Sequence, residues 1–267
     1  MRTSEQQPSA NTTTDHRTTM VRDLLTDYAG WLLGCGATCI RLEKNLKRIA
    51  AAYGQDVELT ISPHHVHIYI VDRNDRTVFT SIATAKGATS FDTITRLSTL
   101  SWRIADTGID IRRARRMFDI IVNDRPRHTW VVPPLVALAN ASFCRLFGGD
   151  IQAMAVVFMA TLAGYNLKMW LTSMRADLRL TFLLCSFASA VIGASSYLFN
   201  LGDTPQIAIG TSILYLVPGV PFLNSFSDML HRFYICSFGR LMDATVLTAC
   251  LSIGLCAGMI VMGVGMF

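Results

Sequence analysis

Charge is scarce in this sequence, and it is scarcest in the second half. Only 16% of the 267 residues are Asp, Glu, Lys or Arg, against about 25% in a typical soluble domain. Of the 24 Lys and Arg residues, 18 precede Thr129, while 51% of the whole chain is hydrophobic. Such an asymmetry indicates two regions with different solvents. We therefore predict a soluble first half followed by a membrane-embedded second half.

Several motifs of enzymes and cofactor-binding proteins are also absent. HExxH, GxSxG and the phosphate-binding loop do not occur, so we predict neither an enzyme nor ATP-driven transport and expect no cofactor. The seven cysteines include no CxxC pair, which argues against a zinc site or a disulfide framework. Residues 1–19 lack the apolar core of a signal peptide, and their polar, Thr-rich composition predicts a disordered tail.

A cluster of histidines makes the best case for a metal site. His65 and His67 would share one face of a strand, with His64 beside them. No Cys or carboxylate has ligand-like spacing to these histidines. We therefore predict no metal and favour a solvated strand face.

A run of arginines makes the best case for nucleic acid. It comprises Arg112, Arg113, Arg115 and Arg116. No aromatic or motif framing accompanies the run, so we predict no nucleic-acid partner. Because the run lies just before the first apolar segment, attraction to anionic lipid headgroups, or a plain solvated face, explains it better.

Residues 20–127 carry the alternating patterns of a small cytoplasmic α+β domain. An apolar stripe at three- and four-residue spacing predicts a helix from about Met20 to Tyr53, although Gly30, Gly34 and Gly36 imply close packing or a local break. Period-two alternation predicts strands near 57–61, 66–70 and 78–82 with a turn at 72–75, and amphipathic patterns predict helices from about Ser90 and Ile109. Helices packed on a small sheet make an α+β domain.

Residues 128–267 form the predicted transmembrane domain, a bundle of about five helices. Successive apolar runs give spans of about 129–147, 151–171, 180–200, 205–227 and 242–266. Each is close to the ~20 residues that cross ~30 Å of hydrocarbon. Gly254 and Gly258 in the last span form a GxxxG face, which predicts tight helix packing.

Basic residues set the predicted orientation. Arg125 and Arg127 flank the first span, Lys168, Arg175 and Arg179 surround the loop between spans two and three, and Arg232 and Arg240 lie between spans four and five. The turns at 148–150 and 200–203 carry no Lys or Arg. Because cytoplasmic loops are enriched in these residues, we predict a multi-pass protein of the inner membrane with a cytoplasmic N-terminal domain and an external C-terminus.

The fourth predicted span carries the main candidate site for a substrate or ion pathway. Pro218, Gly219 and Pro221 should break the helix at 217–221, because proline cannot donate a helical hydrogen bond. Pro221 suits the first turn of a second half-helix, whose free amides favour a carboxylate. Asn224 and Asp228 then lie one turn apart on this half-helix. Secondary transporters build their sites from broken helices with polar faces.

A plainer interpretation of the same segment stays open. The prolines could merely kink the helix, and Asp228 could cap it at the water interface. Arg232, one turn after Asp228, could pair with that carboxylate. Asn140 and Asn166 add polar points within the first two spans and are possible supporting residues.

Two motifs resemble those of the threonine/serine exporter family. The segment Gly36-Ala37-Thr-Cys-Ile-Arg41-Leu-Glu43 looks like the family's Gly-Ala-x-x-x-Arg-x-Glu, and the segment from Pro218 to Asp228 looks like its Pro-Gly-x-x-x-x-Asn-x-x-x-Asp. The resemblance covers about residues 20–267. It is closer to the two-component branch, in which a YjjP-type subunit works with a small YjjB-type partner. Arg41 and Glu43 are two apart on a helix and do not face each other, so we expect structural partners elsewhere.

The resemblance implies a subunit that exports a small polar metabolite: threonine and serine for fused members, succinate for the two-component pair. Fused members carry a second set of apolar spans, so a YjjB-like small membrane subunit is the expected partner, in an oligomer within the lipid bilayer. Related chains carry glycine where Arg232 stands and near Ser237. The alternative function is a membrane-anchored sensor or assembly protein whose soluble domain binds a ligand or partner.

Overall fold

The chain forms two compact units, seen here in a computed structural model that describes residues 10–71, 77–84, 89–124 and 130–264. The N-terminal unit consists of Met1–Arg125 and Val220–Leu241, and the apolar unit consists of Pro126–Gly219 and Met242–Phe267. The predicted turn at 72–75, the basic residues Arg125 and Arg127, and the tail residues 1–9 lie outside the described residues.

Two helices stand where the sequence predicted one long helix at the start of the N-terminal unit. α1 spans Ala10–Gly34 and α2 spans Cys39–Ala52. The helix is interrupted at Gly36, which has a φ of +89°, a conformation that favours glycine. Gly30 serves the other predicted purpose, close packing, since a Cβ there would lie 3.0 Å from Ile82. The predicted apolar stripe is buried along both helices.

The predicted disordered tail is corrected in part, because residues 10–19 are helical in α1. Val21, Leu24 and Leu25 follow directly and are buried. Adding residues to an anchored helix is far easier than nucleating one, so a polar segment can extend a helix whose next turns are packed.

Three antiparallel strands form the predicted sheet in the order β1-β2-β3. They are β1 Asp56–Ile61, β2 His65–Val71 and β3 Thr77–Ala83. Val66, Ile68 and Ile70 of the central strand are buried, as period-two alternation requires. On the opposite face His67 stacks on Phe79, with ring centroids 5.8 Å apart. Among the described residues, no group of three or more His, Cys, Asp and Glu side chains could hold a metal ion.

Two amphipathic helices, α3 Phe91–Thr107 and α4 Ile111–Asn123, complete the first part of the N-terminal unit. Ser90 caps α3 by accepting a hydrogen bond from the Thr93 amide. The apolar residues Ile94, Leu97, Leu100 and Ile104 are buried, as the amphipathic pattern requires, whereas Phe91 is 62% exposed. In the arginine run, Arg115 pairs with Asp27 at 2.6 Å, while Arg112, Arg113 and Arg116 are exposed.

Apolar helices follow in the order the sequence predicted. They are α5 Val132–Leu146, α6 Ile151–Ser173, α7 Leu178–Leu198, α8 Pro205–Ser212 with a short 3-10 helix Leu214–Leu216, α9 Gly219–Leu230 and α10 Tyr234–Val261. A Cβ on Gly254 would clash with Ser186 of α7, and one on Gly258 would lie 2.7 Å from Ala190. The predicted tight packing of the GxxxG face is therefore confirmed.

Three of the described helices, α6, α7 and α10, are long and apolar enough to cross a membrane. The count is four if α8 with its 3-10 extension and α9 together form one broken span. α5 has 15 residues, fewer than the ~20 that a span needs. A mostly helical membrane protein with a small N-terminal sheet is thus confirmed, while the number of five spans stays a prediction.

The boundary between the units differs from the predicted one. The sequence assigned all of 128–267 to the transmembrane domain, but Val220–Leu241 packs within the N-terminal unit. α10 begins at Tyr234, whereas the fifth span was predicted from 242. Cys236, in its first turn, is buried in the core of the N-terminal unit together with residues of α1 and α2. Hydropathy does not distinguish burial in a protein core from burial in lipid, which explains the difference.

Candidate functional site

The helix breaks where the two prolines predicted. The 3-10 helix ends at Leu216, and α9 begins at Gly219 with Pro221 in its first turn. Pro218 lies between them and has no amide hydrogen to continue the ladder. The break leaves α9 as a separate half-helix that belongs to the N-terminal unit.

Asp228 of α9 caps the N-terminus of α2. Its Oδ1 accepts a hydrogen bond of 2.8 Å from the Cys39 amide, the first residue of α2. Thr38, the N-cap residue by position, makes no side-chain cap of its own. The N-terminus of a helix leaves backbone amides without hydrogen-bond acceptors and carries a partial positive charge. A carboxylate from another element both accepts a hydrogen bond from these amides and offsets that charge. Asp228 is fully buried, and the predicted cap at a water interface is instead a cap inside the unit.

Two further side chains hold the turn between α1 and α2. Asn224 donates from Nδ2 to the Gly36 carbonyl at 2.7 Å, and Arg240 donates from Nη2 to the Ala37 carbonyl at 2.7 Å. Nη1 of Arg240 lies 3.4 Å from Oδ2 of Asp228. The two family-like motifs, 188 or more residues apart in sequence, therefore meet at one hydrogen-bonded junction. We call Gly36–Cys39 with Asn224, Asp228 and Arg240 the turn junction.

The turn junction balances its buried charge internally. The Asp228 carboxylate faces the Arg240 guanidinium, the Cys39 amide and the Cys39 thiol, whose Sγ donates to Oδ2 at 3.3 Å. A hydrogen bond with Cys236, burial and the nearby Asp228 charge all raise the pKa of the Cys39 thiol. The thiol therefore stays protonated and can donate. These partners satisfy the buried carboxylate, whereas burying one without partners would be costly.

The possible partner Arg232 is not paired with Asp228 among the described ion pairs, where Asp228 pairs with Arg240. Arg232 is exposed and lies two residues beyond the end of α9, in the left-handed conformation with φ +67°. The Phe233 amide donates to the Asp228 carbonyl at 2.9 Å and closes the helix end. Glycine adopts such a φ without strain, so this position favours glycine over the arginine that stands there.

The supporting residues fall in separate places. Arg41 is exposed, and Glu43 pairs with Lys47 one turn away at 2.5 Å, so the expected separate partner of Glu43 is found. In the apolar unit, Asn140 is buried and donates to Thr161 Oγ1 at 2.6 Å and to the Thr211 carbonyl at 3.0 Å.

Asn166, by contrast, is exposed and donates to the Leu162 carbonyl of its own helix. It therefore makes no polar contact between helices through its side-chain amide. Of the two asparagines that the sequence singled out within the spans, Asn140 alone joins separate elements among the described contacts.

Sequence reasoning missed Arg240 and Cys39. Asp228 lies on α9 and Arg240 lies on α10. Because the two residues are on different helices, the spacing of residues along a helix could not predict that they pair. Cys39 lies inside the first motif, but the contact uses mainly its backbone amide, which any residue would provide.

Comparison with known proteins agrees with these motifs. Residues 23–262 match the ThrE family, described as "Putative threonine/serine exporter". The chain belongs to the threonine/serine exporter family. The match covers α2, the broken helix and both halves of the turn junction, so it takes in both family-like motifs.

Two curated relatives carry the same printed name. The chain is 26% identical to "Probable succinate transporter subunit YjjP" of Klebsiella aerogenes over 246 residues, 91% of this chain and 94% of the relative. It is 29% identical to the protein of that name from Escherichia coli K12 over 135 residues, 50% of this chain and 53% of the relative. No solved structure matches the chain. Family membership and the apolar helices together identify a membrane exporter.

Proposed function

We propose that this chain is one subunit of an inner-membrane secondary exporter of a small metabolite that carries a carboxylate. Membership of the exporter family over residues 23–262 is the observation that carries the proposal. The relatives are described as succinate transporter subunits, and threonine and serine, the amino acids in the family's description, also bear a carboxylate. The broken helix at Pro218 is the architecture in which secondary transporters place their sites.

A second, small membrane subunit of YjjB type is the proposed partner. The relatives' printed names call them subunits. Expression of this chain alone in cells lacking endogenous succinate and threonine exporters should give no efflux of either solute. Co-expression with the small membrane protein from a neighbouring reading frame should restore efflux. Robust export by the single chain would contradict the two-subunit proposal.

For the turn junction we propose a positioning role in transport. The side chains of Asn224 and Asp228 both form hydrogen bonds with the backbone of the α1–α2 turn, and these bonds hold α9 in place. Because α9 begins at Gly219, they also fix one side of the break formed by Pro218, Gly219 and Pro221. Arg41, Glu43, Asn140, Asn166 and Arg232 are assigned no direct substrate contact in this proposal.

The test compares Asp228→Asn, Asn224→Ala and Pro218→Ala, with the exposed Asp243→Asn as the matched control. Flux normalised to membrane-inserted protein should fall for the three variants and stay unchanged for the control. A positioning role predicts a lower maximal rate with little change in the half-saturating concentration. A large rise in that concentration would instead show direct contact with the substrate.

The proposed orientation places the N-terminal unit in the cytoplasm and the C-terminus outside. It rests on the basic residues Arg175 and Arg179 after α6, against the Lys- and Arg-free turns at 148–150 and 200–203. A reporter active only in the cytoplasm should work when fused after Arg175 and fail after Gly149, Asp203 or Phe267. Activity after Phe267 would require an even number of spans.

A ligand-sensing function has one observation in its favour. A groove of about 560 Å³ lies between α1, β3 and α4, lined by Arg22, Asp23, Thr26, Asp27, Thr80 and Arg115 among others. Charges of both signs would suit a zwitterion. Binding of an amino acid by the full chain that is lost in Arg22→Ala, with no solute flux under any co-expression, would favour a sensor over an exporter.

A further inference from the structure

Lys168 is a basic residue inside an apolar helix, and it has no carboxylate partner among the described ion pairs. It lies on α6, five residues before the helix ends at Ser173, about 7.5 Å at 1.5 Å per residue. None of the ion pairs in the described part of the chain involves it. Ionisable residues in membrane helices are costly and generally serve a pathway or a ligand.

The ammonium of Lys168 is directed toward a neighbouring helix. Its Nζ lies 5.4 Å from the centroid of the Phe182 ring on α7 and 5.9 Å from that of Tyr165 on its own helix. Phe182 is only 6% exposed and belongs to a buried apolar cluster with Cys185 and Leu216. A lysine that merely extends along lipid to reach headgroups would not approach a buried ring on the next helix.

Hydroxyl groups continue the polar face of α6 away from Lys168. Thr161, Gly164 and Lys168 share one face at three- and four-residue spacing. The Tyr215 hydroxyl lies 3.0 Å from Ser189 Oγ, and a Cβ on Gly164 would clash with both of these oxygens. Gly164 therefore leaves room for the Tyr215–Ser189 pair against α6.

Beyond that pair, Thr161 accepts the hydrogen bond from Asn140 at 2.6 Å. One cation and a series of neutral hydroxyl and amide groups thus line the interior of the apolar unit. Of its four carboxylates, Asp150 and Asp177 accept hydrogen bonds from backbone amides at helix N-termini, and Asp203 and Asp243 are exposed.

We infer that Lys168 binds the carboxylate of the transported molecule, with the Tyr215–Ser189 hydroxyl pair as the adjoining polar contact. This inference rests on the proposed export function and deepens it by locating the substrate within the apolar unit. Since the ammonium has no carboxylate counter-ion among the described ion pairs, a carboxylate ligand supplies the missing charge, and the surrounding apolar cluster strengthens that attraction. A solute without a carboxylate gains no such attraction.

The experiment measures equilibrium binding of radiolabelled succinate, and separately of radiolabelled threonine, to the purified full chain in lipid nanodiscs, alone and with its partner subunit. Lys168→Met keeps the length of the side chain and removes the charge. Arg179→Met, at the exposed start of α7, removes a charge from the neighbouring end of a helix and is the matched control. Lys168→Arg tests whether a positive charge alone suffices, and succinamide competition tests for the carboxylate.

Succinate binding should weaken roughly 30-fold or more in Lys168→Met, the cost of removing one partner from a buried charge pair. It should stay unchanged in Arg179→Met, be largely kept in Lys168→Arg, and resist competition by succinamide. Tyr215→Phe should weaken it by a smaller factor. Unchanged succinate binding in a folded Lys168→Met chain overturns the inference, and so does a wild-type chain that binds neither succinate nor threonine in either preparation.

Flux in cells is scored separately from binding. Absence of efflux by the wild-type pair would count against the proposed exporter function whatever the binding result. Normal wild-type efflux with an unaltered half-saturating concentration in Lys168→Met would leave the exporter standing and remove Lys168 from its site.

Discussion

The two units differ in whether their buried charges are paired with opposite charges of the protein. In the N-terminal unit the buried carboxylate of Asp228 meets a guanidinium, an amide and a thiol, so the charge is balanced within the protein. In the apolar unit the buried polar side chains Asn140, Thr161 and Ser189 are neutral, and the cation Lys168 has no protein counter-ion among the described contacts. The balanced junction is suited to holding a structure. The unbalanced cation is suited to receiving an anion.

The packing of the two units differs as well. The N-terminal unit fills its core with large aliphatic and aromatic side chains such as Tyr28, Leu42 and Ile68. The apolar unit brings helices together through glycine and alanine, as at Gly254 and Gly258. Lipid gives little hydrophobic reason for helices to associate, so close backbone approach must supply the contact.

The largest effect should come from removing the balanced charge. Asp228→Ala leaves the Arg240 guanidinium, with a side chain 16% exposed, without its counter-ion, at a cost of about 3–5 kcal/mol. Thermal unfolding of the full chain and hydrogen exchange at the first amides of α2 should both report the loss. The exposed Asp106→Ala should change stability by less than about 0.5 kcal/mol. Equal effects of the two variants would show that the turn junction stabilises nothing.

Gly254→Ala should produce the next largest effect, in the apolar unit. The added methyl group would clash with Ser186 and the Leu183 carbonyl of α7, and overpacking of this kind costs about 1–3 kcal/mol. Gly210 of α8 is the control, since a Cβ there meets nothing within 4 Å, and Gly210→Ala should be neutral or stabilise by up to about 1 kcal/mol. If Gly254→Ala and Gly210→Ala shifted the midpoint of unfolding in detergent by the same amount, the idea that α7 and α10 pack through close backbone approach would be contradicted.

The stability lost on replacing one buried asparagine in each unit, Asn45 and Asn140, allows the two units to be compared directly. Asn45 donates to Tyr28 and Ser98 and accepts from Arg48, so Asn45→Ala should cost about 1–3 kcal/mol. Asn140→Ala should cost less, about 0.6 kcal/mol, because groups unfolded within a membrane also find partners. Urea or detergent unfolding can rank the two variants. A larger loss for Asn140→Ala would reverse the comparison.

The smallest effect should lie on the surface of the N-terminal unit. Arg96 pairs with Asp124 at 2.7 Å, but the two side chains are 35% and 49% exposed. Water and salt screen such a pair, so Asp124→Asn should lower stability by no more than about 0.5 kcal/mol, and less at high salt. A loss as large as that of Asp228→Ala would mean that exposure does not decide the value of an ion pair here.

Local patterns in the sequence predicted most of the secondary structure. The alternation of Val66, Ile68 and Ile70, the start of a helix near Ser90 and the break at Pro218 all appear where they were predicted. Each depends on a few neighbouring residues and on the period of one helix or strand. The start of α1 and the start of α10 were misplaced, because their ends depend on what they pack against.

The sequence by itself determined that a small α+β region precedes apolar helices, that the fourth apolar segment breaks at its prolines, and which motifs belong to the exporter family. Period, proline chemistry and residue order decide these features, and none requires knowledge of distant contacts. Only the tertiary structure decided that Asp228 caps α2 rather than pairing with Arg232, and that Lys168 approaches Phe182 without pairing with any of the described carboxylates. Hydrogen bonds and ion pairs act over a few ångströms in space, and the chain brings those atoms together only when its helices pack.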